Sequence, residues 1–224
     1  MFAVISAGIA PGIALLCYFY LKDDYERTTI AMVTRNFVYG SLIVFPVMVL
    51  QYAFEAEGYL LDAFSHAFIR AGLIEEFFKW FLLFFLSYKH ARFNEHYDGI
   101  VFGAAISLGF ATVENILYLI AYGIEGAIGR AFFPVSSHAL FGVIMGYYLG
   151  KASVSSSKTF IWVFLSLTLP VVLHGLYDFM LLAANQYVKL LIVPFMFFLW
   201  WLALQKVKRA NLSQRTKDLP IDKE

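Results

Sequence analysis

AFIRAGLIEEFFKWFLLFFLS, residues 67–87, decides how the chain is read. Its length matches the roughly 20 residues that cross a hydrocarbon core. Glu75, Glu76 and Lys79 nevertheless sit within it, with Arg70 near one end. Three charges at mid-membrane, ionised and unpaired, cost about 7–10 kcal/mol on insertion scales. Pairing reduces that cost. Glu75 precedes Lys79 by four positions, the favourable order for a helical ion pair, and Glu76 precedes it by three. One lysine cannot neutralise two carboxylates, so one acid needs a proton or another partner. Read this way, the stretch is a membrane helix that tolerates charge because it carries a site.

The rest of the chain supports a lipid environment. Of 224 residues, 61% are hydrophobic, 19% aromatic and 15% charged. Soluble domains run nearer half apolar and a quarter charged. A net charge of +1 gives no case for nucleic acid, and the single cysteine, Cys17, excludes an intrachain disulfide. The opening MFAVISAGIAPGIALLCYFYL has no Lys or Arg before its apolar run, so it reads as a retained helix rather than a signal peptide. Apolar spans are expected at 2–21, 36–54, 67–87, 98–121, 131–150, 159–181 and 187–205. The breaks between them are short. The expected fold is therefore all-α and polytopic, with about seven transmembrane helices. One membrane domain covers 1–205, followed by a polar, basic tail over 206–224. Breaks 22–35, 88–97 and 151–158 and the tail hold 13 Lys and Arg; the opposite side holds only Arg70, Arg130 and Lys189. This bias predicts an external N-terminus and a cytoplasmic C-terminus. No internal repeat is evident, so an inverted-repeat transporter lacks its signature.

Other spans also carry polar residues. GFATVENILYL holds Glu114 and Asn115, PVSSHALFG holds His138, and LPVVLHGLYDF holds His174 and Asp178. His174 and Asp178 are four apart, which suits a carboxylate that orients an imidazole. Counted inward at about 1.5 Å per residue, Glu75, Glu76, Glu114, His138 and His174 all lie roughly 10–14 Å below the outer ends of their spans. Independent ion pairs have no reason to share a depth, whereas one polar site requires it. Plainer readings are an ion-pair cluster joining helices, Glu114 as a direct partner of Lys79, His138 bonded to Ser136 or Ser137, His174 and Asp178 as a local pair near the outer interface, and Asn115 as an interhelical hydrogen bond. His66, His90 and His96 fall in breaks and are expected to be solvated. Asp98 is expected to be a helix N-cap. Trp200 and Trp201 read as an interfacial belt. Gly8 and Gly12, Gly99 and Gly103, and Gly142, Gly146 and Gly150 form stripes that favour close helix packing.

Glu75-Glu76-x-x-Lys79, Phe110-x-x-x-Glu114, His138 and His174-Gly-x-x-Asp178 together resemble the motif series of the PrsW family, over roughly residues 1–205. The family is similar in turn to the CAAX prenyl-protease-like and bacteriocin-processing membrane proteases. Those carry Glu-Glu-x-x-x-Arg, Phe-x-x-x-His and His-x-x-x-Asn/Asp. Here Lys79 stands where the wider pattern has Arg, one position closer, and Glu114 stands where it has His. There are two histidine motifs, and only His174 has an acid four residues on. The resemblance implies a multi-pass protease of the bacterial cell membrane. Its implied role is the first, site-1 cut in a single-span anti-sigma factor, RsiW in Bacillus-type bacteria. That cut leads to sigma-W activation under envelope stress and antimicrobial peptides.

No Ser/His/Asp set or HExxH pair is present, so a glutamate-activated water is the expected chemistry. By analogy with the superfamily, Glu75 is the general base, with Glu76 and Glu114 holding the water or tuning the base. His174, oriented by Asp178, stabilises the oxyanion. His138 is the second candidate for that role or for protonating the leaving amine, and Lys79 offsets carboxylate charge. No cofactor is required by this scheme, but zinc or another divalent metal on Glu75, Glu114, His138 and His174 is an open alternative. Rival readings from other classes are a proton-coupled transporter or channel and a non-catalytic membrane scaffold.

Overall fold

A computed structural model describes residues 1–24, 28–89, 95–155, 157–183 and 185–215, with side chains through 213. His90 lies outside the described residues. Every regular element among them is helical. We label the long helices α1 (Phe2–Leu21), α2 (Ile30–Ala56), α3 (Ile74–Leu82), α4 (His96–Tyr122), α5 (Ser136–Ser153), α6 (Thr159–Leu182) and α7 (Ile192–Arg215).

Among the described residues, six helical segments are long and apolar enough to cross a membrane: Phe2–Leu21, Ile30–Ala56, His96–Tyr122, Ile124–Ser153, Thr159–Leu182 and Gln186–Ser213. They coincide with six of the expected spans. The remaining span, 67–87, is also helical but built from pieces. Helix α3 is flanked by wide π-helical stretches at His66–Leu73 and Leu83–Tyr88, after a short turn at Ala63–Ser65. The Ile74 amide reaches back to the Ile69 carbonyl, five residues away. Such wide turns recur at functional sites because they re-aim side chains without breaking the helix. A third π-helical stretch, Ala131–Val135, leads into α5 and contains Pro134, which has no N–H to donate.

Helix α4 is the central post. It packs against α1, α2 and α5 and is buried along most of its length. The glycine stripes set these contacts. A Cβ on Gly142 would collide with the Gly103 carbonyl and Ser107, and one on Gly103 would collide with the Gly142 carbonyl. Small residues therefore let α4 and α5 touch backbone to backbone. On the other side, Gly40 of α2 lies against the Ile106 carbonyl and Gly109 of α4 against the Phe37 carbonyl. The outward faces are apolar and exposed: Val49 is 68% exposed, Phe164 58% and Phe197 73%. No soluble fold leaves such faces open; lipid covers them.

Several local expectations are corrected. Asp98 is not the N-cap residue of α4. Glu95 is the N-cap and Asp98 the third helical residue, and each side chain accepts from the other's backbone N–H in a capping box. His96 is buried, with a ring nitrogen 3.1 Å from the Tyr147 carbonyl, because the first turn of α4 packs on α5. His66 is half-buried where the first π-helical stretch begins. Trp200 stacks on Phe19 of α1, while Trp201 is 59% exposed. The last helix continues beyond residue 205 to Arg215. Val207 and Ala210 are buried, and Lys206 donates to the Tyr148 hydroxyl at 3.0 Å.

Candidate active site

Glu75, Glu76 and Lys79 occupy the first two turns of α3, directly after the π-helical stretch. Residues three and four apart share a helix face, so both acids meet the lysine. Lys79 Nζ lies 2.8 Å from Glu76 Oε1 and 3.3 Å from Glu75 Oε2. It is fully buried, and its charge rests 4.1 Å from the centre of the Phe110 ring.

The lysine also reaches α5. Its Nζ lies 3.1 Å from His138 Nδ1. An ammonium can only donate, so Nδ1 accepts and the His138 proton sits on Nε2. That Nε2 donates to Glu114 Oε2 of α4 at 3.1 Å. Glu114 is therefore linked to Lys79 through His138. Ser136 and Ser137 are not partners of His138: they donate to the Phe132 and Pro134 carbonyls.

Helix α6 closes the cluster. His174 Nδ1 lies 2.9 Å from Glu76 Oε1, and Nε2 lies 3.3 Å from Asp178 Oδ2. Both nitrogens thus face carboxylates. The His174 ring is 5.1 Å from His138 edge to face and stacks on Phe141 at the same distance. Gly175 lets α6 approach the first π-helical stretch, since a Cβ there would strike the Phe68 ring.

All five expected catalytic residues therefore meet in one place. Lys79 contacts both acids and His138, and Asp178 lies against His174. Asn115 Nδ2 donates to the Gly8 carbonyl at 3.1 Å, and its Oδ1 accepts at 2.9 Å from Nε of Arg130, which also pairs with Glu114. It joins helices, as the plainer reading expected. Two residues were not singled out from the sequence. Gln51 of α2 donates to Glu75 Oε1 at 3.1 Å and to the Arg70 carbonyl at 2.9 Å. Arg130 lies 3.7 Å from Glu114 Oε1 and stacks on Tyr118. A lone Gln in an apolar span was the available signal for the first. For Arg130, proximity to Glu114 depends on how the 123–135 connection folds back.

Glu75, Glu76, His138 and His174 each bring a ligand atom within 4.8 Å of the others. Carboxylate oxygens and imidazole nitrogens are good zinc donors. Glu76 Oε2 is buried without a hydrogen-bond partner. That atom, and the surplus of acid over Lys79, fit a cation or a polarised water. The set includes Glu76 in place of the expected Glu114, which lies a bond further out on His138.

The family model described as PrsW family intramembrane metalloprotease matches residues 28–203. Protease PrsW of Halalkalibacterium halodurans is 56% identical over 215 residues, covering 96% of this chain and all of the relative. Protease PrsW of Bacillus subtilis is 56% identical over 212 residues, covering 94% of this chain and 97% of the relative. Protease PrsW of Clostridioides difficile is 28% identical over 198 residues, 84% of this chain and 83% of the relative. No solved structure matches. With its buried cluster of glutamates and histidines inside an apolar helical bundle, this chain belongs to the PrsW family and is a multi-pass membrane protease of bacteria.

Proposed function

We propose that the chain makes the first, extracytoplasmic-side cut in a single-span anti-sigma factor of the RsiW type, and so leads to sigma-W activation under envelope stress and antimicrobial peptides. The observation that carries the reading is the convergence of Glu75, Glu76, His138 and His174 within 4.8 Å. Their level supports the side of the cut. Glu114 lies eight residues before the end of α4 at Tyr122, about 12 Å at 1.5 Å per residue. By the Lys and Arg bias that end faces outward.

In this reading Glu75 is the general base, because its carboxylate borders a cavity while Glu76 is sealed inside. Glu76 accepts from Lys79 and His174 on one oxygen and offers the other to the reacting water. Lys79 offsets the paired acids. Asp178 fixes the His174 ring, which stabilises charge developing on the scissile carbonyl. Glu75 then hands the proton it took from water to the leaving amine, while Glu114 and Lys79 hold the His138 ring beside it. Glu75, Glu76, His138 and His174 would hold a divalent metal, and such an ion, when bound, polarises the carbonyl and acidifies water.

Purified protein in liposomes, given an RsiW substrate, tests this. We expect one cut near the outer membrane boundary of RsiW, loss of cleavage with a chelator, and recovery with zinc. Glu75→Gln and Glu76→Gln should each lower the rate about 10²–10⁴-fold, the range for general acid–base groups. Full activity with both replaced removes the assignment. Chelator resistance with an intact glutamate requirement leaves a metal-free glutamate mechanism.

A further inference from the structure

The reacting groups are enclosed on most sides. Glu76 and Lys79 side chains are fully buried, and His138 and His174 are nearly so. Glu114 is the exception, with 37% of its side chain exposed. It faces a cavity of about 300 Å³ between α2 and α4, and Glu75 forms part of the same wall.

The shape of this groove follows from the glycines. At Gly40 and Gly109 the two helices touch backbone to backbone. Toward Ala56 and Tyr122 the contact passes to larger residues. There Val44, Met48 and Leu117 line the groove with Tyr118 and Tyr122 at its mouth. The helices are pinned near their midpoints, and the space between them opens toward Ala56 and Tyr122. Met48 is 45% exposed and Tyr122 75%, so the groove meets lipid and the interface.

We propose that this α2–α4 groove receives the unwound juxtamembrane segment of the substrate, and that Met48, Leu117 and Tyr118 select its side chains. The inference rests on the proteolytic reading above. A cavity near 300 Å³ is at the small end of ligand pockets. It is too small to enclose a helix about 10–12 Å across, and an extended segment is the form that reaches its floor. The path from Tyr122 down to Glu114 is about 12 Å, the length of about four extended residues. Apolar walls favour apolar side chains there and reject an unpaired charge. The polar floor of Glu75 and Glu114 then meets the next peptide bond.

Photo-crosslinking amino acids at Met48 and Tyr118, in the Glu76→Gln background that retains uncleaved substrate, are expected to capture RsiW from liposomes. The same probe at Phe164 or Phe197, exposed on α6 and α7, is expected not to. In otherwise wild-type protein, Met48→Lys should slow RsiW cleavage about tenfold or more. It should cut faster an RsiW variant with Asp at the crosslinked residue than unmodified RsiW, reversing the wild-type order. Capture at Phe164 or Phe197 instead, or no reversal, overturns the groove while wild-type cleavage of RsiW keeps the protease reading. Failure of wild type to cut RsiW overturns that reading, and the groove's role with it.

Discussion

Lys79 is the residue on which the site is built. It is fully buried and contacts both acids and His138. Breaking a buried ion pair costs about 3–5 kcal/mol because the partner charge is left alone. Lys79→Met should therefore lower the detergent melting temperature strongly, and adding Glu76→Gln should recover part of the loss, as thermal unfolding will report. Asp178 acts through another group. Asp178→Asn should lower cleavage about 10–100-fold, the range for a carboxylate behind a functional histidine, with little change in melting temperature. Equal activity would show that His174 needs no orienting acid. At this scale much was legible in the sequence. The spacing of Glu75, Glu76 and Lys79 foretold their pairing, because three- and four-residue separations share a helix face. The Lys79–His138 contact was not foretold, since it joins residues 59 apart through the packing of two helices.

At the scale of elements, the α4–α5 seam carries the site. Glu114 and His138 face each other only because Gly103 and Gly142 let the two backbones approach. Gly142→Leu should push the helices apart, cost at least the ~1–3 kcal/mol of overpacking, and reduce cleavage together with thermal stability. Gly129→Ala is the control: a Cβ there meets nothing within 4 Å, so both measurements should stay near wild type. The glycine stripes were visible in the sequence, but their partners were not. The π-helical stretches around α3 were not visible either. Nothing in FIRAGL signals a wide turn, because the register is chosen by packing of the stretch against α6.

At the scale of the molecule, the prediction concerns sidedness. A cysteine placed at Glu125, in a Cys17→Ser background, should react with an impermeant maleimide in intact cells. One placed at Ser155 should react only after permeabilisation. The opposite pattern would reverse the orientation and move the proposed cut to the cytoplasmic side. The physical basis is the retention of Lys- and Arg-rich connections in the cytoplasm.

The sequence by itself determined the solvent, the helical class, six of the long spans, and the residues with chemistry to offer. These follow from composition, span length and local spacing, which act within one helix at a time. It also gave reason to expect a shared depth, since each span can be counted from its own end. Only the tertiary structure decided who touches whom. Glu114 is placed on His138 rather than on Lys79, His174 between Glu76 and Asp178, and Gln51 on Glu75. Helix rotation and tilt settle those choices. They are set by glycine-mediated contacts between segments far apart in the chain, which no local pattern of residues encodes.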